Sequence, residues 1–174
     1  MPLWLRTAQG SRVTFVIANA DAMRAFARDV IAPQVRAGDV LLLTGDLGAG
    51  KTTFTQGLGE ALGVRGPVAS PTFIIARTHP SLVGGPALIH VDAYRLASLA
   101  ELDDLDLDAT LEDSVTVVEW GDPAAALSDD RLHVTISRAR GGVIDPNAPD
   151  GGDRLVTVTG HGSRWDGVTF GGDA

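Results

Sequence analysis

The stretch Val40-Leu-Leu-Leu-Thr-Gly45-Asp-Leu-Gly-Ala-Gly-Lys51-Thr52-Thr53-Phe54 decides how this chain is read. Val40 to Thr44 is a continuous apolar run, as expected of a parallel strand covered on both faces. A helix is predicted from about Gly50 to Leu62, with Phe54, Leu58, Ala61 and Leu62 on one face and Gly63 as its stop. Between the two, Gly45 to Thr52 matches G-x-x-x-x-G-K-[ST] without a mismatch. A chain that wraps a phosphate must aim successive backbone N–H groups inward, so side chains at the turn must be small or absent. Gly45, Gly48, Ala49 and Gly50 meet that need, and the following helix points the positive end of its dipole at the anion. The expected nucleotide-binding residues are Gly45, Asp46, Leu47, Gly48, Ala49, Gly50, Lys51, Thr52 and Thr53. Lys51 would bridge the β- and γ-phosphates, and the Thr52 hydroxyl would ligate Mg2+.

The basic residues support this reading. Of the 14, 13 are Arg and the only Lys is Lys51. A compact ammonium on a flexible stem fits a tight phosphate cradle, and a planar guanidinium does not.

Outward from the loop, strands alternate with helices. Arg12 to Ala18 reads as a strand. Met23, Phe26, Ala27, Val30 and Ile31 recur with helical spacing, with Asn19 or Asp21 as the cap and Pro33 near the end. Phe73 to Thr78, Ala87 to Val91 and Val115 to Val118 read as strands, and Ser98 to Asp108 as a short helix. Arg131 to Ser137 and Arg154 to Thr159 alternate as a terminal antiparallel pair would. The composition of 141–152 predicts a flexible loop between them. The expected fold is α/β: one P-loop NTPase domain over 1–174, with a mixed, mostly parallel sheet flanked by helices and antiparallel strands toward the C-terminus.

A P-loop enzyme needs a carboxylate beside its magnesium, commonly at the end of a neighbouring strand. Glu119 follows the apolar run Val115 to Val118, and Asp92 follows Leu88 to Val91. Glu119 has the drier strand behind it and is the preferred magnesium ligand with Thr52. Asp92 is then the candidate to orient the attacking water or hold the metal's outer shell. Ser70-Pro-Thr72-Phe73 lies one loop beyond the P-loop helix, where Thr72 could sense the γ-phosphate; the plain alternative is a proline turn into a strand. Arg95 stands close to Asp92 and either stabilises transition-state charge or is an ordinary surface arginine. The expected catalytic set is therefore Lys51, Asp92, Thr72 and Arg95.

Composition removes several classes. The 174 residues carry a formal charge of −8, which makes tight binding of nucleic acid by this chain alone a poor fit. There is no cysteine, which excludes disulfides and thiolate metal sites. No apolar run approaches the ~20 residues of a membrane span. The opening Met1-Pro-Leu-Trp-Leu-Arg6 lacks a signal-peptide layout, so the cytoplasm is the expected location. Guanine-reading GTPases carry N-K-x-D, which cannot exist here because the only Lys is committed to phosphate, so ATP is expected over GTP. No LSGGQ-like stretch supports a transporter ATPase.

Four blocks in this order and spacing resemble the bacterial TsaE (YjeE-like) ATPases: Gly45 to Phe54, Ser70 to Phe73, His90-Val-Asp-Ala-Tyr-Arg-Leu96, and Glu119-Trp120. The likeness runs from about Val13 to Ser137; the tail, including Gly160 to Trp165, adds little to it. The resemblance implies a part in threonylcarbamoylation of the tRNA adenosine next to the anticodon. It implies TsaB and TsaD as partners, with TsaD performing the transfer and tRNA met only indirectly. It also implies that Thr52 and Glu119 hold magnesium and that Asp92 serves catalysis. Ala93 and Gly121 stand where the family commonly has a larger apolar residue and Pro.

Some residues near these blocks have plainer readings. His90 is more often a packed or edge residue than a ligand, and Trp120 either caps the core or shapes the site. From Glu101 to Asp113 seven acidic residues interleave with leucines. They read as a solvated helix face, or more sharply as a docking surface or a fence against tRNA. Two other functions share the P-loop. One is a small-molecule kinase, with Arg138 and Arg140 as the only cluster fit for a lid. The other is a nucleotide-gated binding module with negligible turnover.

Overall fold

The computed structural model describes residues 6–9, 12–69, 76–93, 108–120, 128–138 and 152–171. They build one eight-stranded sheet from β1 (Arg6–Gln9), β2 (Arg12–Ile17), β3 (Val40–Thr44), β4 (Ala76–His79), β5 (Ala87–Asp92), β6 (Ser114–Glu119), β7 (Arg131–Arg138) and β8 (Arg154–His161). The helices are α1 (Ala20–Phe26), α2 (Lys51–Leu62) and α3 (Asp108–Leu111). The strand order is β1-β2-β8-β7-β3-β6-β5-β4.

The sheet is mixed, as the sequence implied, but it is not mostly parallel: parallel pairing is confined to β7-β3-β6-β5, three of the seven pairings. Every pair outside that block is antiparallel. Antiparallel pairing reaches both edges: β1 and β2 form a hairpin that docks on β8, and β4 pairs with β5 at the opposite edge. The short β1, Arg6-Thr-Ala-Gln9, has no apolar alternation to announce it.

β3 lies at the centre and alternates between two cores. Leu41 and Leu43 pack with Phe15, Phe26, Phe54 and Leu58 under α1 and α2. Val40 and Leu42 pack with Ile89, Val91 and Val118 on the other face, with Leu111 of α3 against them. The two-sided burial explains the unbroken apolar run. Phe15, Phe26 and Phe54 stack in sequence, with centroids 4.7 and 6.4 Å apart, and lock α1 and α2 to β2.

Asn19 caps α1 by accepting from the Ala22 N–H at 2.9 Å. The expected helix over Met23–Ile31 is not uniformly α. It widens to a π-turn over Ala27–Ile31 and closes as a 3-10 turn over Ala32–Gln34. Pro33 has no N–H to continue the ladder, and its ring would crowd the carbonyl four residues back. The predicted burial of Met23, Phe26, Ala27, Val30 and Ile31 holds through the change.

Other boundaries move. The strand expected over 73–78 is described from Ala76 to His79, and 73–75 lie outside the described residues. Of the helix expected over 98–108, 98–107 lie outside the described residues, and a helix is described over Asp108–Leu111. The loop 141–151 also lies outside. The tail is part of the fold: β8 sits between β2 and β7, and Trp165 and Phe170 are buried in the larger core. Arg164 grips Asp39 at the start of β3 with two bonds of 2.9 and 2.8 Å.

Candidate functional site

The C-terminal ends of the parallel strands meet at one place. Leu43 of β3 is in register with Glu119 of β6, and Glu119 with Asp92 of β5. In open α/β sheets this is where ligands bind. The glycine loop leaves β3 at that point. A Cβ on Gly45 would run into the Ile136 carbonyl oxygen of β7, so only glycine lets the loop turn there. Ala49 N–H closes the turn on the Asp46 carbonyl at 3.0 Å. Gly50 enters the helix with φ of 115°, a left-handed conformation that glycine adopts without steric cost. The N–H groups of Gly48 and Gly50 have no partner among the described residues. No side chain caps the start of α2, so its first-turn N–H groups are open as well. The loop is thus a concave array of orphan donors at a helix N-terminus, which suits an anion.

Lys51 is buried at the first position of α2, 5% exposed. Its Nζ donates to the carbonyls of Gly45 at 2.7 Å and Asp46 at 3.0 Å, which hold the ammonium over the loop. The Trp120 ring centroid lies 4.1 Å from the same nitrogen. Burial pushes the Lys51 ammonium below the usual lysine range, while Glu119, then Asp46 and Asp92, pull it back up. Trp120 reaches Lys51 from a left-handed backbone, φ 61°, and its N–H donates to the Leu43 carbonyl at 2.8 Å. A bulky residue rarely holds that conformation, and strained positions of this kind cluster at functional sites.

Glu119 is 4% exposed and serves two neighbours through one oxygen. Thr52 Oγ1 donates to Oε1 at 3.3 Å, and His90 Nε2 lies 2.8 Å from the same atom. Thr52 and Glu119 therefore face each other as a hydroxyl and a carboxylate, both hard oxygen donors. Among the described residues no group of three or more His, Cys, Asp or Glu is arranged to hold a metal. Two protein oxygens suit Mg2+, which takes the rest of its shell from water and phosphate. Asp92 is half-buried beside Glu119 and acts electrostatically on Lys51.

The structure thus gathers Gly45 to Thr53, Asp92 and Glu119 at one end of the sheet. Asp46, Leu47 and Gly48 form the exposed tip of the loop. Thr53 faces a cavity of about 220 Å³ beside the loop, bounded also by Asn19, Met23, Gly48, Ala49 and Arg154. Thr72, Arg95 and the acidic stretch up to 107 lie outside the described residues. Two residues take part in the site in ways the sequence did not show. The plain reading of His90 as a packed strand residue is right about its burial and misses its bond to Glu119, because its partner is 29 positions away. Arg154 bonds the loop from 105 positions away, and no local pattern marks it.

A protein-family model described as "Threonylcarbamoyl adenosine biosynthesis protein TsaE" matches residues 17–142. The chain is 58% identical over 137 residues to the tRNA threonylcarbamoyladenosine biosynthesis protein TsaE of Streptomyces coelicolor, covering 78% of this chain and 88% of that protein. The protein of the same description from Bacillus subtilis is 37% identical over 150 residues, 85% of each chain. The crystal structure of YdiB from Bacillus subtilis superimposes with a TM-score of 0.69 at 32% identity, covering 92% of this chain and 93% of that one.

Proposed function

The chain belongs to the TsaE family, and from that membership we propose that it serves threonylcarbamoyladenosine formation in tRNA as a magnesium-dependent ATPase acting with TsaB and TsaD. The observation that carries the ATPase reading is the placement of Thr52, Glu119 and Lys51 around one point at the strand ends. Gly48, Gly50 and the first turn of α2 would bind the phosphates through backbone N–H groups. The Lys51 ammonium would then neutralise charge at the β- and γ-phosphates. Thr52 and Glu119 would hold Mg2+, which when bound neutralises charge building on the phosphate oxygens. Asp92, next to Glu119 in register, would orient the attacking water and take its proton. Trp120 keeps water from one side of the ammonium.

The family description names tRNA chemistry, yet this chain carries a formal charge of −8 and one lysine, already placed in the loop. A net charge of that sign disfavours tight binding of RNA by this chain alone. The two facts are reconciled if partners hold the tRNA and this subunit supplies a nucleotide-dependent step. No helix among the described residues is long and apolar enough to cross a membrane; work on tRNA would put the protein in the cytoplasm. A kinase reading has one feature in its favour: Arg138 Nη2 lies 4.0 Å from where a Cβ on Gly48 would stand. Arg140, the other member of the pair, lies outside the described residues.

The test is threonylcarbamoyladenosine formation on tRNA with TsaB and TsaD, with this chain present, absent, or carrying Lys51→Ala. Sustained formation only with the wild-type chain and ATP supports the proposal. Equal formation in all three cases refutes it.

A further inference from the structure

We propose that Arg154, at the start of β8, is a positioning residue of the phosphate loop that sets the direction of the Gly50 N–H. The proposal rests on the nucleotide-binding reading above. Arg154 is buried at 8% exposure. Its Nε donates to the Ala49 carbonyl oxygen at 3.3 Å. Its Nη1 bonds the Gly152 carbonyl, which fixes the guanidinium on its own side of the contact. The contact falls inside the loop, on the one peptide that joins Ala49 to Gly50.

The C=O and the N–H of a trans peptide point to opposite sides. Ala49–Gly50 is trans, since Gly66–Pro67 alone is cis among the described residues. Drawing the Ala49 oxygen toward Arg154 therefore turns the Gly50 N–H away from Arg154, to the far side of the loop. That N–H has no partner among the described residues. Gly50 has φ of 115° and no side chain, so its own sterics do little to stop the peptide from turning over. A charged donor held at its other end by Gly152 supplies the restraint. Register places Arg154 between Ile17 of β2 and Arg138 of β7, so the C-terminal hairpin and the cradle are joined through this side chain.

The experiment compares full-length wild type with Arg154→Met and Arg154→Lys. Each is titrated with ATP and with inorganic tripolyphosphate, and the amide ¹⁵N resonance of Gly50 is recorded without ligand. A positioning role predicts that Arg154→Met weakens both ligands by the same factor, roughly tenfold. It also predicts that Arg154→Lys recovers part of the loss, and that the Gly50 resonance moves in the Met variant. If the Met variant does not fold, the Lys variant is read by the same resonance. Intact affinity with an unmoved Gly50 resonance overturns the proposal, even if the melting temperature falls. So does a loss for ATP with none for tripolyphosphate, which would put Arg154 at the nucleoside end. Wild-type protein that binds neither ligand refutes the nucleotide reading instead, and the Gly50 resonance still decides the role of Arg154.

Discussion

His90 Nε2 lies 2.8 Å from Glu119 Oε1, and both side chains are buried. The carboxylate can only accept, so the imidazole donates from Nε2, and the bond fixes both its tautomer and the carboxylate's direction. Thr52 donates to the same oxygen at 3.3 Å. Glu119 is therefore pre-aimed by a strand neighbour. Partners of this kind around a metal ligand are commonly worth 10–100-fold in affinity or activity.

His90→Phe keeps an aromatic ring, somewhat larger than imidazole, and removes the donor. It is expected to raise the magnesium concentration needed for half-maximal ATP hydrolysis by about 10-fold or more, with nucleotide affinity measured without metal little changed. A magnesium titration at fixed ATP checks this. An unchanged requirement would mean that the bond to Glu119 is only packing.

Glu119→Gln should reduce magnesium-dependent turnover more than nucleotide binding, because the phosphate cradle stays intact. Asp92→Asn should slow turnover with smaller effect on metal affinity. Parallel magnesium and nucleotide titrations of the two variants separate these roles. The reverse ranking would exchange the assignments of the two carboxylates.

Lys51→Met should lower ATP turnover by roughly 100-fold or more, in line with loss of a preorganised charge at a transition state. It should not lower the melting temperature. Burial holds the folded-state pKa of Lys51 below its ordinary value, so its charge is a cost to folding. That cost is complete below the folded pKa and is relieved as pH rises toward the unfolded value of 10.5. Chemical denaturation of both proteins at neutral pH checks the sign. A clear loss of stability in the variant would contradict it.

The form of the loop was legible in the sequence because its parts are successive residues: the glycines, Lys51 and Thr52 all lie within eight positions. Strand β3 was legible because burial on both faces leaves an unbroken apolar run. Glu119 and Asp92 were legible as strand-end carboxylates, but the register that sets them side by side was not. His90 and Arg154 were hidden because a buried histidine or arginine looks the same in sequence whatever it bonds. The β1–β2 hairpin was missed at β1 because an edge strand needs little apolar patterning. The π-turn before Pro33 was missed because helical spacing of apolar residues survives a local widening.

His79 should make the fold acid-sensitive. It is buried, and its Nδ1 donates to the Arg65 carbonyl at 3.0 Å, which leaves Nε2 unprotonated and without a partner among the described residues. Burial, outweighing that bond, holds its pKa below the ordinary 6.5. As pH falls through 6.5 the unfolded chain takes up a proton that the folded chain refuses, so stability drops from there down to the folded pKa. His79→Gln should flatten this part of the stability–pH curve between pH 7 and 5, measured by urea denaturation. An identical slope in both proteins would remove His79 as the cause.

Release of inorganic phosphate from ATP, with no acceptor added, tests the central claim most directly. Purified wild-type chain should release phosphate slowly, only with magnesium, and in preference to release from GTP. Thr52→Ala and Glu119→Gln should each shift the magnesium dependence. Phosphate release that is independent of magnesium and unaffected by both substitutions, or transfer that occurs only to an added small molecule, would contradict the account.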